Sequence, residues 1–104
     1  GLSVINRNVA WVSGTGGTVL RTVDGGKSWQ NISVPQMNKT DFRDITGFDT
    51  HTAIVMGIDK PARFFKTTNG GKTWSLIYYD DREGVFFDGM SFWNKTQLEA
   101  IIYL

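Results

Sequence analysis

The sequence predicts an all-β fold of repeated antiparallel four-stranded sheets, the blades of a β-propeller. Two observations predict it. The turn motif Thr22-Val23-Asp24-Gly25-Gly26-Lys27-Ser28-Trp29 returns 45 residues later as Thr67-Thr68-Asn69-Gly70-Gly71-Lys72-Thr73-Trp74. Around each copy lie short runs rich in Val, Ile, Thr and aromatic residues, bounded by Gly, Asn, Asp or Pro. Such runs between turn residues read as an antiparallel meander, and a period of roughly 40–50 residues is that of propeller blades.

Taken in order, residues 2–5 read as a first strand and Asn6-Arg7-Asn8 as a polar turn. Residues 9–13 give the second strand, anchored by Trp11 and Val12, and Gly14-Thr15-Gly16-Gly17 a loop. Residues 18–23 form the third strand and 28–34 the fourth, which places a first blade at about 1–34. The same four slots recur at 42–48, 53–58, 62–68 and 73–79, a second blade at about 42–79. Segments 35–41 and 80–84 carry Pro, Asn, Asp and Lys, as surface connections do. A third unit starts with 85–93, and Asn94-Lys95-Thr96 takes the turn slot. The apolar tail 98–104 completes about 85–104 as the start of a third blade, although Glu99 stands where the earlier units have Trp11 or Ile54.

The turn motif has a chemical logic. Asp24 and Asn69 are placed to accept backbone N–H groups one or two residues on. The paired glycines Gly25-Gly26 and Gly70-Gly71 supply positive φ for a tight reversal. Ser28 or Thr73 offers a hydroxyl back across the turn, and Trp29 or Trp74 lays a large apolar ring on the sheet where the returning strand begins. All ten are turn residues, and none is expected to be catalytic.

These residues resemble the Asp-box, or BNR repeat, of sialidases, oligoxyloglucan hydrolases, sortilin-type receptors and the photosystem II stability/assembly factor family. The double-glycine form, with Leu20-Arg21-Thr22 and Ala10-Trp11-Val12-Ser13-Gly14 ahead of it, is most similar to the assembly-factor-like group. The resemblance covers about residues 1–93. It implies a propeller that presents a rim to a protein partner, and favours a periplasmic or secreted bacterial protein. Unrelated functions share the motif, so it specifies a repeat rather than an activity.

Composition bounds the rest. The chain has 104 residues and a formal net charge of +1, so no general attraction to nucleic acid or to an anionic membrane is expected. It has no cysteine, hence no disulfide framework and no thiolate metal site. No apolar run approaches the roughly 18 residues of a membrane span. His51 is the single histidine, expected at the surface of the turn Asp49-Thr50-His51. Gly14-Thr15-Gly16-Gly17-Thr18 lacks the Lys-Ser/Thr ending and the helix of a phosphate loop. Neither a metal nor a cofactor is expected.

At about 45 residues per blade the chain holds about two and a third blades, whereas closed propellers have typically 4–8. The sequence therefore predicts a fragment of a seven-bladed ring, or a piece that closes by self-association, because a blade buries its faces only against neighbours. The second-to-third and fourth-to-first connections share one rim, opposite the Asp-box turns. That rim carries the candidate ligand-facing residues Arg43, Asp44, Asp59, Arg63, Arg82 and Asp88. A glycoside hydrolase would need two carboxylates about 5–9.5 Å apart, and Asp59 with Asp88 or Glu83 is the candidate pair. Tyr78, Tyr79, Phe86 and Phe87 could stack on sugar rings or fill the space between blades. The Arg-Ile-Pro signature of sialidases is missing, and Arg63 stands instead in Pro61-Ala62-Arg63-Phe64. The expected function is a non-catalytic, protein-binding scaffold, with an Asp-box glycoside hydrolase fragment as the alternative.

Overall fold

The computed structural model describes residues 1–59, 61–81, 89–92 and 100–103, the last two as backbone strands. The strands are β1 (Leu2–Val4), β2 (Ala10–Ser13), β3 (Val19–Thr22), β4 (Gln30–Asn31), β5 (Phe42–Gly47), β6 (Ala53–Gly57), β7 (Ala62–Thr67), β8 (Ser75–Asp80), β9 (Gly89–Phe92) and β10 (Ala100–Tyr103). They form two four-stranded sheets, β1-β2-β3-β4 and β5-β6-β7-β8, and a β9-β10 pair. Every pairing is antiparallel between chain neighbours. No helix occurs among the described residues.

Local chemistry sets the register. Asn6 Oδ1 accepts the N–H groups of Asn8 and Val9 at 2.8 and 3.0 Å. Asp49 Oδ1 does the same for His51 and Thr52, both at 2.8 Å. An acceptor two and three residues ahead of its donors closes each first hairpin without a glycine. These matched turns align Leu2 with Ile45, Ala10 with Ala53 and Trp11 with Ile54. Beyond the second hairpin, the boxes align Trp29 with Trp74 and Ile32 with Ile77.

The fourth strand of the first sheet is much shorter than the sequence suggests. Residues 28–34 read as strand, yet only Gln30 and Asn31 pair, with Arg21 and Leu20. Ser28 and Trp29 still belong to the box. Past Asn31, Ser33 Oγ takes the Val19 N–H at 3.0 Å, and Asn31 Oδ1 accepts both the N–H and the hydroxyl of Ser33. The Ile32 N–H still reaches the Val19 carbonyl at 2.9 Å, but the Ser33 side chain takes the return bond, which is how Ser and Asn compete with a strand. In the second sheet β8 runs six residues, with a register shift between Phe64 and Phe65 that leaves Ile77 unpaired opposite them.

The main core lies between the two sheets. Trp11, Val19 and Val34 from the first meet Phe42, Ile45, Ala53, Val55 and Phe65 from the second, with Ile5, Ile32, Met37 and Trp74 at the margin. A second cluster, Ile54, Met56, Ala62 and Phe64 with Phe48, Ile58 and Ile77, occupies the other face of the second sheet. Hence all five residues of β6 are buried, the pattern of a strand covered on both faces. Phe42 and Phe65 meet edge to face at 6.2 Å, a favoured aromatic geometry.

The connection to β5 contains the one non-glycine residue of positive φ among the described residues, Gln36 at 66°. Pro35 precedes it, and the Met37 N–H donates to the Val34 carbonyl at 3.4 Å. This is a type II turn, whose third position calls for glycine. A left-handed residue other than glycine costs roughly 1–2 kcal/mol, part of which glycine forfeits through its freer unfolded chain. Gln36→Gly is expected to raise stability by up to about 1 kcal/mol, and Gln36→Ile to lower it by about 1–2 kcal/mol. Urea denaturation of the two variants checks both signs.

Candidate functional site

The two box turns have the same bonding scheme, and it differs from the scheme expected of Asp24 and Asn69. The nearest N–H groups go to threonine. Thr22 Oγ1 accepts from Gly26 at 2.9 Å and from Asp24 at 3.3 Å, and donates to Asp24 Oδ1. Thr67 Oγ1 repeats this with Gly71, Asn69 and Asn69 Oδ1. The Asp or Asn oxygen instead takes an N–H four residues on, Ser28 to Asp24 at 2.9 Å and Thr73 to Asn69 at 3.0 Å. The reason is backbone shape. Gly25 and Gly26 at φ 73° and 88°, like Gly70 and Gly71 at the same angles, curl the chain so that the fourth N–H returns over the carboxyl or amide.

The side-chain link closes with opposite polarity in the two copies. Ser28 donates its hydroxyl to Asp24 Oδ2, whereas Asn69 Nδ2 donates to Thr73 Oγ1 at 2.8 Å. The Ser28 hydroxyl, the Ser28 N–H and the Thr22 hydroxyl together lower the Asp24 pKa from 3.8 to about 2, since bonds to the charged form favour it.

The copies differ sharply in surroundings. Gly70 and Gly71 are buried, while Gly25 and Gly26 are exposed. Trp74 lies against the first sheet and its Nε1 donates to the Ile32 carbonyl at 2.8 Å. Gly71 sits so close that a Cβ there would fall 2.5 Å from the Ile32 side chain, whereas one at Gly26 would meet nothing nearer than 3.8 Å. Trp29, expected to lie on the sheet, is instead 43% exposed. From the other side, Trp11 Nε1 donates to the Asp49 carbonyl at 3.2 Å and Arg21 Nε to the Thr50 carbonyl at 2.8 Å. Arg21 also stacks on the Trp11 ring at 5.5 Å and binds Gln30 Oε1.

The opposite end of the second sheet holds the ligand-rim candidates. Phe42, Gly57, Arg63 and Tyr79 form one row across β5 to β8. Arg43 is exposed beside that row, at the β5 register shift, and Asp44 Oδ1 accepts the Ile45 N–H at 2.9 Å. The Arg63 guanidinium lies 5.7 Å from the centre of the Tyr79 ring, which is 53% exposed. Tyr79 therefore joins the candidate rim residues beside Arg63. Its signal was its register opposite Arg63, which depends on a bulge. Asp59 is half-buried just after β6. Arg82, Asp88 and Glu83, and with them both candidate carboxylate partners of Asp59, lie outside the described residues, as do Phe86 and Phe87. His51 is exposed.

Four-stranded antiparallel sheets, each turned at its last hairpin by an Asp-box and packed face to face, define an Asp-box β-propeller. The chain belongs to the family described as photosynthesis system II assembly factor YCF48, whose model matches residues 2–84. A solved structure described as YCF48 bound to D1 peptide is similar to it, with a TM-score of 0.69 and 24% sequence identity. The likeness covers 86% of this chain and 29% of that one, so the chain spans under a third of that relative's length. No curated protein matches the sequence.

Two outcomes follow from the paired boxes. Gly71 and Gly26 share φ 88°, so the backbone strain of an added Cβ is common to both and only the neighbour differs. Gly71→Ala is expected to lower stability by about 1–3 kcal/mol more than Gly26→Ala, the usual cost of overpacking, as read from urea denaturation. The Asp24 carboxyl titrates lower in the folded chain than its ordinary 3.8. Its contribution to stability is therefore complete above about pH 4 and is lost as pH falls from there through about 2. Melting curves from about pH 5 to pH 2 should show a loss that is smaller in Asp24→Asn, whose amide does not titrate.

Proposed function

We propose that this chain is a non-catalytic propeller segment that binds a protein partner as an extended segment across the rim of Arg43, Asp44, Asp59, Arg63 and Tyr79. The observation that carries the reading is family membership over residues 2–84, supported by the peptide in the similar solved complex. The box chemistry fits a structural role. Its hydroxyls, carboxylate and amide are occupied by one another and by turn N–H groups, so Asp24, Ser28, Asn69 and Thr73 shape a turn. The rim offers a different set of groups. A guanidinium held against a half-exposed aromatic ring binds peptide carbonyls and carboxylates while the ring covers apolar side chains. Arg82 and Asp88 extend that rim in sequence.

Calorimetric titration with the D1 peptide of the similar complex tests this reading. Binding is expected for the parent chain, weakened about tenfold or more in Arg63→Ala and Tyr79→Ala. Lys27→Ala, at the opposite end of the sheets, should bind like the parent. Absence of binding by the parent, or equal losses in all three variants, would overturn the proposal.

A further inference from the structure

The second box carries a reactive pair that shaping a turn does not require. Asn69 precedes Gly70, and asparagine is followed by glycine nowhere else in the chain. With no Cβ on the following residue, its backbone nitrogen can swing onto the asparagine amide carbon at little steric cost. Asparagine is a thermolabile residue, and this pairing is its most exposed form. The two reacting groups lie in different surroundings. Asn69 is exposed, whereas Gly70 is buried. The Gly70 N–H donates to the His51 carbonyl at 2.9 Å. The Arg21 guanidinium lies so close over Gly70 that a Cβ there would fall 2.9 Å from Nη1. The amide is pinned as well. Its Oδ1 takes the Thr73 N–H at 3.0 Å, and its Nδ2 donates to Thr73 Oγ1 at 2.8 Å.

We propose that Asn69-Gly70 is a latent self-modification site, a deamidation site held closed by the seating of the second box on the first sheet. In the reaction the Gly70 nitrogen bonds to Asn69 Cγ, and Nδ2 leaves as ammonia, carrying the Gly70 proton. Water then opens the cyclic imide and returns a proton to the Gly70 nitrogen. Opening at Cγ leaves aspartate, and opening at the backbone carbonyl leaves isoaspartate, with an extra methylene in the main chain. The first step needs base to reach the Gly70 proton and the nitrogen to move onto Cγ. In the closed junction that proton is held on the His51 carbonyl, with Arg21 over it, so neither happens until the sheets part there. The two products have opposite consequences. Aspartate is tolerated, because Asp24 holds the same turn with the N–H and hydroxyl of Ser28. Isoaspartate takes Gly70 and Thr73 out of register with the residue 69 side chain and withdraws Trp74 from the Ile32 carbonyl. A transient opening thus becomes a permanent loosening of the junction. The matching pair Asp24-Gly25 does not share this route near neutral pH. Its carboxyl, with a pKa lowered to about 2, is ionised and a poor acceptor for a nitrogen nucleophile. The proposal does not rest on the peptide-binding reading, since the boxes and the rim lie at opposite ends of the sheets.

The first box provides the comparison. The Gly25 N–H donates to the Asn8 carbonyl at 3.0 Å, as Gly70 does to His51, yet Gly25 is exposed. Asp24→Asn therefore sets the same pair in an open box of the same molecule. Deamidation at both positions is followed by peptide mass spectrometry during incubation in mildly alkaline buffer, with and without denaturing urea. Under native conditions position 69 should react on the order of tenfold or more slower than position 24. In urea the two should react alike, and position 69 well above its native rate. In the parent chain below the unfolding midpoint, the rate at Asn69 should rise with urea in step with exchange of the Gly70 amide proton. Isoaspartate, labelled by an isoaspartyl methyltransferase, should appear together with loss of Trp74 indole protection, whereas Asn69→Asp should keep that protection. Equal native rates at the two positions overturn the proposal, because the seating of the box then protects nothing. So does a native rate at Asn69 equal to that in urea, or one that ignores Gly70 exchange. Full Trp74 protection in isoaspartate-bearing chains would confine the change to the turn and overturn the loosening of the junction.

Discussion

The contact between Trp74 and Ile32 is the constraint on which the rest of this structure depends. A four-stranded sheet of short strands has two apolar faces and no interior, so it gains a core only by stacking on another sheet. The indole of Trp74 lies against the margin of the core that Trp11 fills, and its N–H bond to the Ile32 carbonyl fixes where along the sheet it lands. The box exists in this form because the ring has to arrive there. Thr67 and Asn69 hold the reversal, and Gly71 lets the turn approach Ile32 more closely than any side chain would permit.

The junction is clamped from both directions. Trp11 and Arg21 of the first unit reach forward to the Asp49 and Thr50 carbonyls of the second, at the very hairpin that Asp49 closes. Arg21 is buried, which would be expensive for an unpaired charge. Its guanidinium is bonded to a carbonyl and to Gln30 and lies over the Trp11 ring. The second unit has Ile54 and Lys66 at the Trp11 and Arg21 positions. The residues of the backward half are thus common to both boxes, whereas Trp11 and Arg21 of the forward half have no counterpart in the second unit.

This arrangement separates the molecule's two ends by chemistry. At the box end the polar groups bond to one another within single turns and hold geometry. At the other end the connections after β2, β4 and β6 vary in length, and charged and aromatic side chains such as Arg43, Arg63 and Tyr79 stand at the surface. Loops on a rigid scaffold are where binding groups accumulate, and the rigidity here comes from the stacked sheets beneath them.

The sequence by itself determined the strand order, the turn positions and the repeat, because these depend on local chemistry. Gly-Gly pairs require positive φ, Asn6 and Asp49 close their own hairpins, and alternating apolar runs have one way to lie in a sheet. It also placed Arg43 and Arg63 at one end, since an antiparallel meander leaves no choice of end. Tertiary structure alone decided what identical motifs do. Trp29 and Trp74 are the same residue in the same box, yet one is open and the other half-buried against the first sheet, because only the second box has a sheet behind it. The threonine that takes the Gly26 and Gly71 N–H groups, the shortening of β4 by Ser33, and the pairing of Arg63 with Tyr79 across a bulge were equally illegible. Each depends on where a curled or shifted backbone brings atoms together, and residue spacing along the chain does not encode that distance.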